Sequence, residues 1–350
     1  MTVATDYPGV YVEESAELSL SVSSGATAVP VFVSGTDSFK NTKKINSWLD
    51  FIDSVKSFDP AHDLHLSIRS YFDNGGGPCY IVHKANLMKD VPKLDDATLL
   101  VAAGEDIKEQ VAQLCQQGNG LFAILDGPKD ELKPDSSRDN YEQNSNAAVY
   151  YPYLIADWAT TTTCIPPSAA IAGVYCSVDR SRGVWKAPAN VVLQGGVKPK
   201  YKVTDDLQAT YNSGKAINMI REFPDTGTTV WGARTLDDSD KWRYIPVRRL
   251  FNSVERDIKN AMSFAMFEPN SQPTWERVRS AVNNYLYSLW QQGGLAGTKQ
   301  DEAYFVQIGQ GVTMTDDDIK QGKMIIKVGL AAVRPAEFII LQFSQSVGEA

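Results

Sequence analysis

The sequence predicts a mixed α/β (α+β) chain in two domains with an extended, β-prone arm at each end, and three observations predict it. Short β-type runs alternate with helical ones from about residue 29 to 200. Two long amphipathic helices follow residue 245, and runs of β-formers stand near both termini, at Val10-Tyr11-Val12 and at Phe338-Ile339-Ile340-Leu341. Strands alternating with helices are what a sheet covered on its faces by helices requires. The expected boundaries are an arm over 1–22, an α/β domain over 23–205, a C-terminal domain of mixed sheet and two long helices over 206–334, and a second arm over 335–350.

In chain order, Pro8-Gly9 starts the first extended run, and Leu18, Leu20 and Val22 alternate with serines at the strand period of two. Val29–Val33, Cys79–Val82, Leu99–Ala102 and Leu121–Leu125 read as strands, and Asp106–Gln117 as a helix. Asp126–Asn146 is polar, with Gly127-Pro128 and Pro134-Asp135, and reads as an exposed loop running into a helix. Further on, Val247, Leu250, Phe251, Val254, Ile258, Ala261, Met262 and Ala265 recur at spacings of three and four, one apolar stripe on a helix that Glu268-Pro269-Asn270 ends. Arg248, Arg249, Arg256 and Lys259 lie off that stripe. A second helix begins near Ser271 or Thr274, turns Trp275, Val278, Val282, Leu286 and Leu289 inward, and stops at Gly293-Gly294. Tyr304–Ile308 and Met324–Leu330 are the strands available to the sheet these helices flank.

Length and composition narrow the function. With 350 residues, 43% apolar and 22% charged, the chain has the make-up of a globular protein large enough for two cores. No run approaches the ~18 to 20 apolar residues of a membrane span, and the N-terminus lacks the basic-then-apolar pattern of a signal peptide, so assembly in the cytoplasm without membrane insertion is expected. The four cysteines are far apart with no Cys-x-x-Cys pair, and read as buried free thiols of a reducing compartment. A net charge of -8 argues against a nucleic-acid partner, which would need a cationic face. The charge is uneven. Residues 240–350 carry 13 basic against 12 acidic side chains and the rest 21 against 30, while Lys241–Lys259 alone holds six cations.

Catalytic constellations are poorly supported. Asp225-Thr226-Gly227 has the aspartic-protease signature in one copy where a dyad needs two, and its setting between β-prone runs reads as a hairpin turn. Asp59, His62, Asp63 and His65 would allow a metal-dependent α/β enzyme, yet no defined ligand spacing appears, and a loop entering a helix near Leu64 is the plainer reading. Gly75-Gly76-Gly77 precedes a strand instead of following one, the wrong order for a phosphate loop. Thr315-Asp316-Asp317-Asp318 reads as a helix cap. No catalytic residue, cofactor or metal is expected. Two β-prone tails remain, and unpaired strands are commonly donated to another chain.

Four stretches resemble the contractile tail-sheath family of phage tails, R-type pyocins and the extracellular injection particles of antifeeding-prophage and virulence-cassette type. They are Tyr7-Pro-Gly-Val-Tyr-Val-Glu-Glu14; Asn74–Val82; Pro166–Tyr175 continuing to Arg182-Gly-Val-Trp-Lys-Ala-Pro-Ala-Asn190; and Val230-Trp-Gly-Ala-Arg-Thr235 leading to Tyr244–Arg249. Phe267-Glu-Pro-Asn270 and Val333-Arg-Pro-Ala-Glu-Phe338 add to them. The chain is short for the family, which points to the smaller sheaths.

The resemblance implies a two-domain, tail-sheath-like fold with 23–205 outermost and 206–334 inside. It implies a structural subunit in stacked six-fold rings around an inner tube protein, bounded by baseplate and tail-terminator cap proteins. Such a sheath contracts from a metastable extended state in a released, extracellular particle. It also implies arms that add strands to neighbouring subunits, through Val10, Tyr11 and Val12 at one end and Phe338, Ile339, Ile340 and Leu341 at the other. From the charge split, Arg248, Arg249, Lys299, Asp301 and Glu302 are candidates to face the tube. A related cap or baseplate protein is the alternative.

Overall fold

A nine-stranded sheet occupies most of the first 231 residues of the computed structural model, which describes residues 21–35, 39–160, 163–262 and 265–337. Val10, Tyr11, Val12 and Phe338, Ile339, Ile340, Leu341 lie outside the described residues. The elements are β1 (Pro30–Ser34), β2 (Lys43–Ile45), α1 (Trp48–Val55), α2 (Asp63–Asp73), β3 (Cys79–His83), α3 (Leu87–Asp90), β4 (Leu99–Val101), α4 (Lys108–Leu114), β5 (Phe122–Asp126), β6 (Ala147–Tyr151), β7 (Leu154–Ala156) and α5 (Pro167–Arg182). They continue as β8 (Val191–Val192), β9 (Val197–Pro199), α6 (Asp205–Tyr211), β10 (Ile217–Phe223), β11 (Gly227–Trp231), α7 (Ile245–Met262), α8 (Gln272–Gln291), α9 (Gln300–Ala303), β12 (Tyr304–Gln307), α10 (Asp316–Lys320) and β13 (Lys327–Leu330).

The sheet order is β2-β3-β1-β4-β5-β6-β10-β11-β8. Strands β3, β1, β4, β5, β6 and β10 are parallel, and β2, β11 and β8 pair antiparallel at the edges. Parallel strands need cover on both faces. Alternate residues accordingly divide between two cores: Phe32, Ile81, Leu99, Phe122 and Tyr150 face one, and Val31, Val82, Leu100, Ala123 and Val149 the other.

The tightest cover is α5 on α2. A Cβ at Gly173 would stand 2.4 Å from the Tyr71 carbonyl oxygen and 2.9 Å from Asn74 Cβ, so only glycine lets the two helices approach this closely. Gly173→Val is expected to destabilise the subunit by about 1 to 3 kcal/mol or more through overpacking, read as a lowered thermal midpoint.

Helix α5 starts on Pro166-Pro167, with no side-chain cap of its own. Asp126, at the end of β5, supplies one: it accepts from Ser168 N at 2.8 Å, Ser168 Oγ at 3.0 Å and Gly104 N at 2.8 Å. Burial pushes its carboxyl up to about 6 against those bonds. A folded-state value raised above the unfolded one stabilises the protein fully below about pH 4 and loses that contribution as pH rises through about 6. Asp126→Asn should therefore flatten unfolding free energy between pH 4 and 6, and cost about 1 to 3 kcal/mol at pH 7 by orphaning a buried N–H. Denaturant titrations across that range check both.

Three expectations are corrected or met here. The sheet takes in β10 and β11, so the boundary expected between 205 and 206 cuts through it. The loop after Asp126 feeds β6, a fully buried central strand, because a short apolar run such as Ala147–Tyr151 does not distinguish strand from helix. Asp225-Thr226-Gly227 is the turn of the β10–β11 hairpin, with Gly227 at φ 84°.

After Tyr244 the chain builds a smaller core. Leu250 and Val254 of α7, Val282, Leu286 and Leu289 of α8, and Tyr304 of β12 cluster with Val184, which follows α5. Helix α7 is sandwiched: its Ile245 belongs to the core of the large sheet, whereas Leu250 and Val254 belong to this one. Thr315 caps α10 in a reciprocal box with Asp318. Among the described residues the cysteines are free thiols, and burial pushes Cys115 up to about 12.

Candidate functional site: the arm roots and an open ladder

The two ends of the described fold, residues 25–27 and 331–337, and the small sheet of β12 and β13 form the candidate site. Strands β12 and β13 pair antiparallel from Tyr304 with Leu330 to Gln307 with Lys327, and among the described residues each pairs only with the other. A two-stranded ladder is marginal by itself and leaves two unpaired edges. Phe305 lies across Gly329, where a Cβ would come within 2.1 Å of its ring. The outward ring is 45% exposed.

The N-terminal root, residues 25–27, is held by α7. Asp257 Oδ1 accepts from Gly25 N at 3.2 Å, Arg256 donates to the Ala26 carbonyl at 2.6 Å, and Arg249 donates to the Thr27 carbonyl at 3.1 Å. Asp257 is fixed from behind by Tyr285 of α8 at 2.8 Å. Arg249 also pairs at 2.6 Å with Asp179 of α5, and the two side chains are 3% and 5% exposed. Thr27 Oγ1 reaches the same Asp179 at 2.5 Å.

The C-terminal root is held by the large sheet. Beyond β13 the chain zips along 294–296, with Ala296 N donating to Ala331 O at 2.7 Å. It then places Glu337 on Arg234, whose Nε donates to Oε1 at 2.9 Å and whose Nη2 donates to Oε2 at 2.6 Å. Tyr244 and Asn212 add donors at 3.2 and 3.3 Å. The Arg234 backbone is bracketed by Asn218 of β10, which accepts from its N at 2.7 Å and donates to its carbonyl at 2.8 Å. Glu337, beyond the C-terminal core, is thus anchored beside the large sheet. Bidentate charge-assisted pairs of this kind contribute about 1.5 to 3 kcal/mol, so Arg234→Ala should raise amide exchange across 331–337 roughly tenfold to a hundredfold, measured by mass spectrometry.

This geometry corrects the expectation for Arg248 and Arg249. Both lie off the apolar stripe of α7, but the helix is covered on two sides, and the guanidinium groups are inside. Arg248 is 1% exposed; it stacks 4.0 Å over Trp242 and donates to Asn252 at 2.8 Å. Neither offers a free charge at the surface of the described fold. The basic segment instead grips the N-terminal root. Lys299, Asp301 and Glu302 are exposed at α9, where Glu302 closes the turn by accepting from Thr298 N at 2.9 Å and Lys299 N at 3.3 Å. Those bonds hold its carboxyl below the usual range.

His62 Nδ1 accepts from Leu64 N at 3.2 Å, and His65 Nδ1 accepts from Asp59 N at 2.9 Å, so both imidazoles serve the entry to α2. Among the described residues no group of three or more His, Cys, Asp or Glu is placed to hold a metal ion. Sequence reasoning did not single out Arg234, Glu337, Asp179 or Asp257. A signal existed: Arg234 and Glu337 each stand in a block that resembles the sheath family, which is where two distant, mutually dependent residues would be found.

Residues 86–236 match the phage tail sheath protein central domain, and residues 237–346 match the phage tail sheath C-terminal domain. The sheath of the PVC extracellular contractile injection system, solved in its contracted state, is 63% identical with a TM-score of 0.92 over 99% of both chains. The helical sheath of the anti-feeding prophage, also contracted, is 46% identical with a TM-score of 0.83 over 98% of this chain and 100% of that one. A putative prophage major tail sheath protein of Pseudomonas aeruginosa (strain UCBPP-PA14) is 24% identical over 253 residues, 68% of this chain. The chain spans 62% of the length of that relative and 28% of the length of the tail sheath protein of Vibrio phage KVP40, which is 26% identical over 51% of this chain. With both domain models matched in order and a 63% identical sheath superposing over 99% of its length, this chain belongs to the phage tail sheath family.

Proposed function

We propose that this chain is the sheath subunit of a contractile injection particle, polymerising as stacked six-fold rings around an inner tube and contracting to drive that tube through a target membrane. The observation that carries the reading is the likeness to a contracted injection-system sheath over 99% of both chains. The β12–β13 ladder, unpaired at its edges among the described residues, and the β-prone sequence at each end of the chain support it, because an unpaired ladder edge is a place where a strand from another chain can add. A head-to-tail contact whose rotation does not close builds a helical filament. Backbone hydrogen bonds at about 0.5 to 1.5 kcal/mol net each would hold the mesh while subunits move.

Contraction needs no nucleotide in this account. The extended sheath is a kinetically trapped state formed on the tube, and release lets the large-sheet domains find a better packing while the arms stay hooked. The partners are further copies of the chain, the tube protein, and baseplate and terminator cap proteins. The particle assembles in the cytoplasm and acts once released. Lys299, Asp301 and Glu302 are the tube-facing candidates exposed among the described residues. The test is negative-stain microscopy of the chain expressed alone and with its cognate tube. Long hollow cylinders are expected; a single ring at one end of the tube would make it a cap or baseplate subunit.

A further inference from the structure

A groove of about 940 Å³ lies beside the C-terminal root, between Trp185 and Trp231, and its charges do not balance. Its acids are already engaged: Asp205 with Arg221 at 2.7 Å, and Glu337 with Arg234 at 2.6 Å. Arg182, Lys186 and Arg334 line it with no carboxylate partner among the described residues. Lys186 is half-buried, and its ammonium group donates only to the Ala187 and Ala189 carbonyls, at 2.9 and 3.4 Å. Burial, and then the like charge of Arg182, lower its pKa. Three cations without a carboxylate partner among the described residues, in a groove also lined by Trp185 and Trp231, ask for an anionic, partly apolar occupant.

The chain carries such a segment. Residues 1–20 contain Asp6, Glu13, Glu14 and Glu17 and no Lys or Arg, whereas residues 338–350 contain Glu349 as their one acid. Position agrees with charge. Val333 and Arg334, which line the groove, follow β13 by three and four residues, roughly 10 to 14 Å along an extended chain. Glu13 and Glu14 follow Val10–Val12 by one and two residues. A strand added parallel to β13 through Val10–Val12, level with the end of β13, would carry the glutamates to the rim of the groove.

Building on the sheath reading, we infer that the groove of Arg182, Lys186 and Arg334 receives Glu13, Glu14 and Glu17 from the N-terminal arm of a second copy, adding an ionic lock to the strand exchange. Full-length Glu14→Cys/Lys186→Cys, assembled and then oxidised, should give intermolecular ladders on non-reducing gels, absent from either single variant. A cross-linked monomer alone would put the segment in its own subunit's groove, and uncross-linked cylinders would put it elsewhere; either overturns the inference. A second measurement covers variants that assemble poorly. Arg182→Glu/Lys186→Glu/Arg334→Glu should raise the concentration needed for assembly at least tenfold, and Glu13→Lys/Glu14→Lys/Glu17→Lys in the same chain should restore it. Failure of that restoration contradicts the lock, while failure of the unaltered chain to form cylinders contradicts the sheath reading itself.

Discussion

A chain ended after Glu337, or begun at Ser21, is expected to stay a folded monomer that no longer builds cylinders. The reason is the position of the roots. The Arg234–Glu337 pair survives the first deletion, and the contacts from Asp257, Arg256 and Arg249 to residues 25–27 survive the second. The buried clusters formed among the described residues lie within 21–337, which both truncations keep. What is lost is a donated strand, several backbone hydrogen bonds at about 0.5 to 1.5 kcal/mol each in every subunit contact, summed along the polymer. Sedimentation velocity and electron microscopy read assembly, and circular dichroism with a thermal scan reads the fold. Normal cylinders from either truncation would remove strand exchange from the account.

Breaking the Arg249–Asp179 pair is the largest stability effect expected. Removing one partner of a pair that is 3% and 5% exposed leaves an uncompensated buried charge, at a cost of about 3 to 5 kcal/mol. That is a large share of the ~5 to 15 kcal/mol that holds a domain folded. Arg249→Ala also releases the Thr27 carbonyl, and Asp179→Ala the Thr27 hydroxyl, so either loosens the N-terminal root as well. The double change Arg249→Met/Asp179→Leu should recover most of the loss by filling the site with apolar groups. Reversals at Lys299 and Asp301, both exposed, should leave thermal stability unchanged. Equal midpoints for Arg249→Ala and Lys299→Glu would contradict the burial described here.

Strands β1, β3, β4 and β5, α7, α8 and the hairpin turn at Asp225 were readable because each rests on local chemistry: β-prone apolar runs, apolar residues at helical spacing, a Pro-Asp-Thr-Gly turn, whereas the short run of β6 was not. The arginines of α7 were misread for a physical reason. A periodicity argument assigns one buried face, and α7 has two, since it lies between the large-sheet core and the smaller one. The polarity of Arg249 marked the second face as solvent, while its partner Asp179 stands 70 residues away. The Arg234–Glu337 clamp, spanning 103 residues, was hidden in the same way. Long-range pairs become visible only when the sheet brings them together. The ladder was legible as two strands, but its unpaired edges follow from pairing that a sequence does not display.

The most direct test of the account is a cryo-EM reconstruction of the assembled polymer at a resolution that traces the backbone beside β12 and β13. The account predicts a larger sheet in which strands containing Val10–Val12 and Phe338–Leu341 of other copies lie along that ladder. A ladder that stays two-stranded in the polymer, with each arm packed on its own subunit, would contradict it.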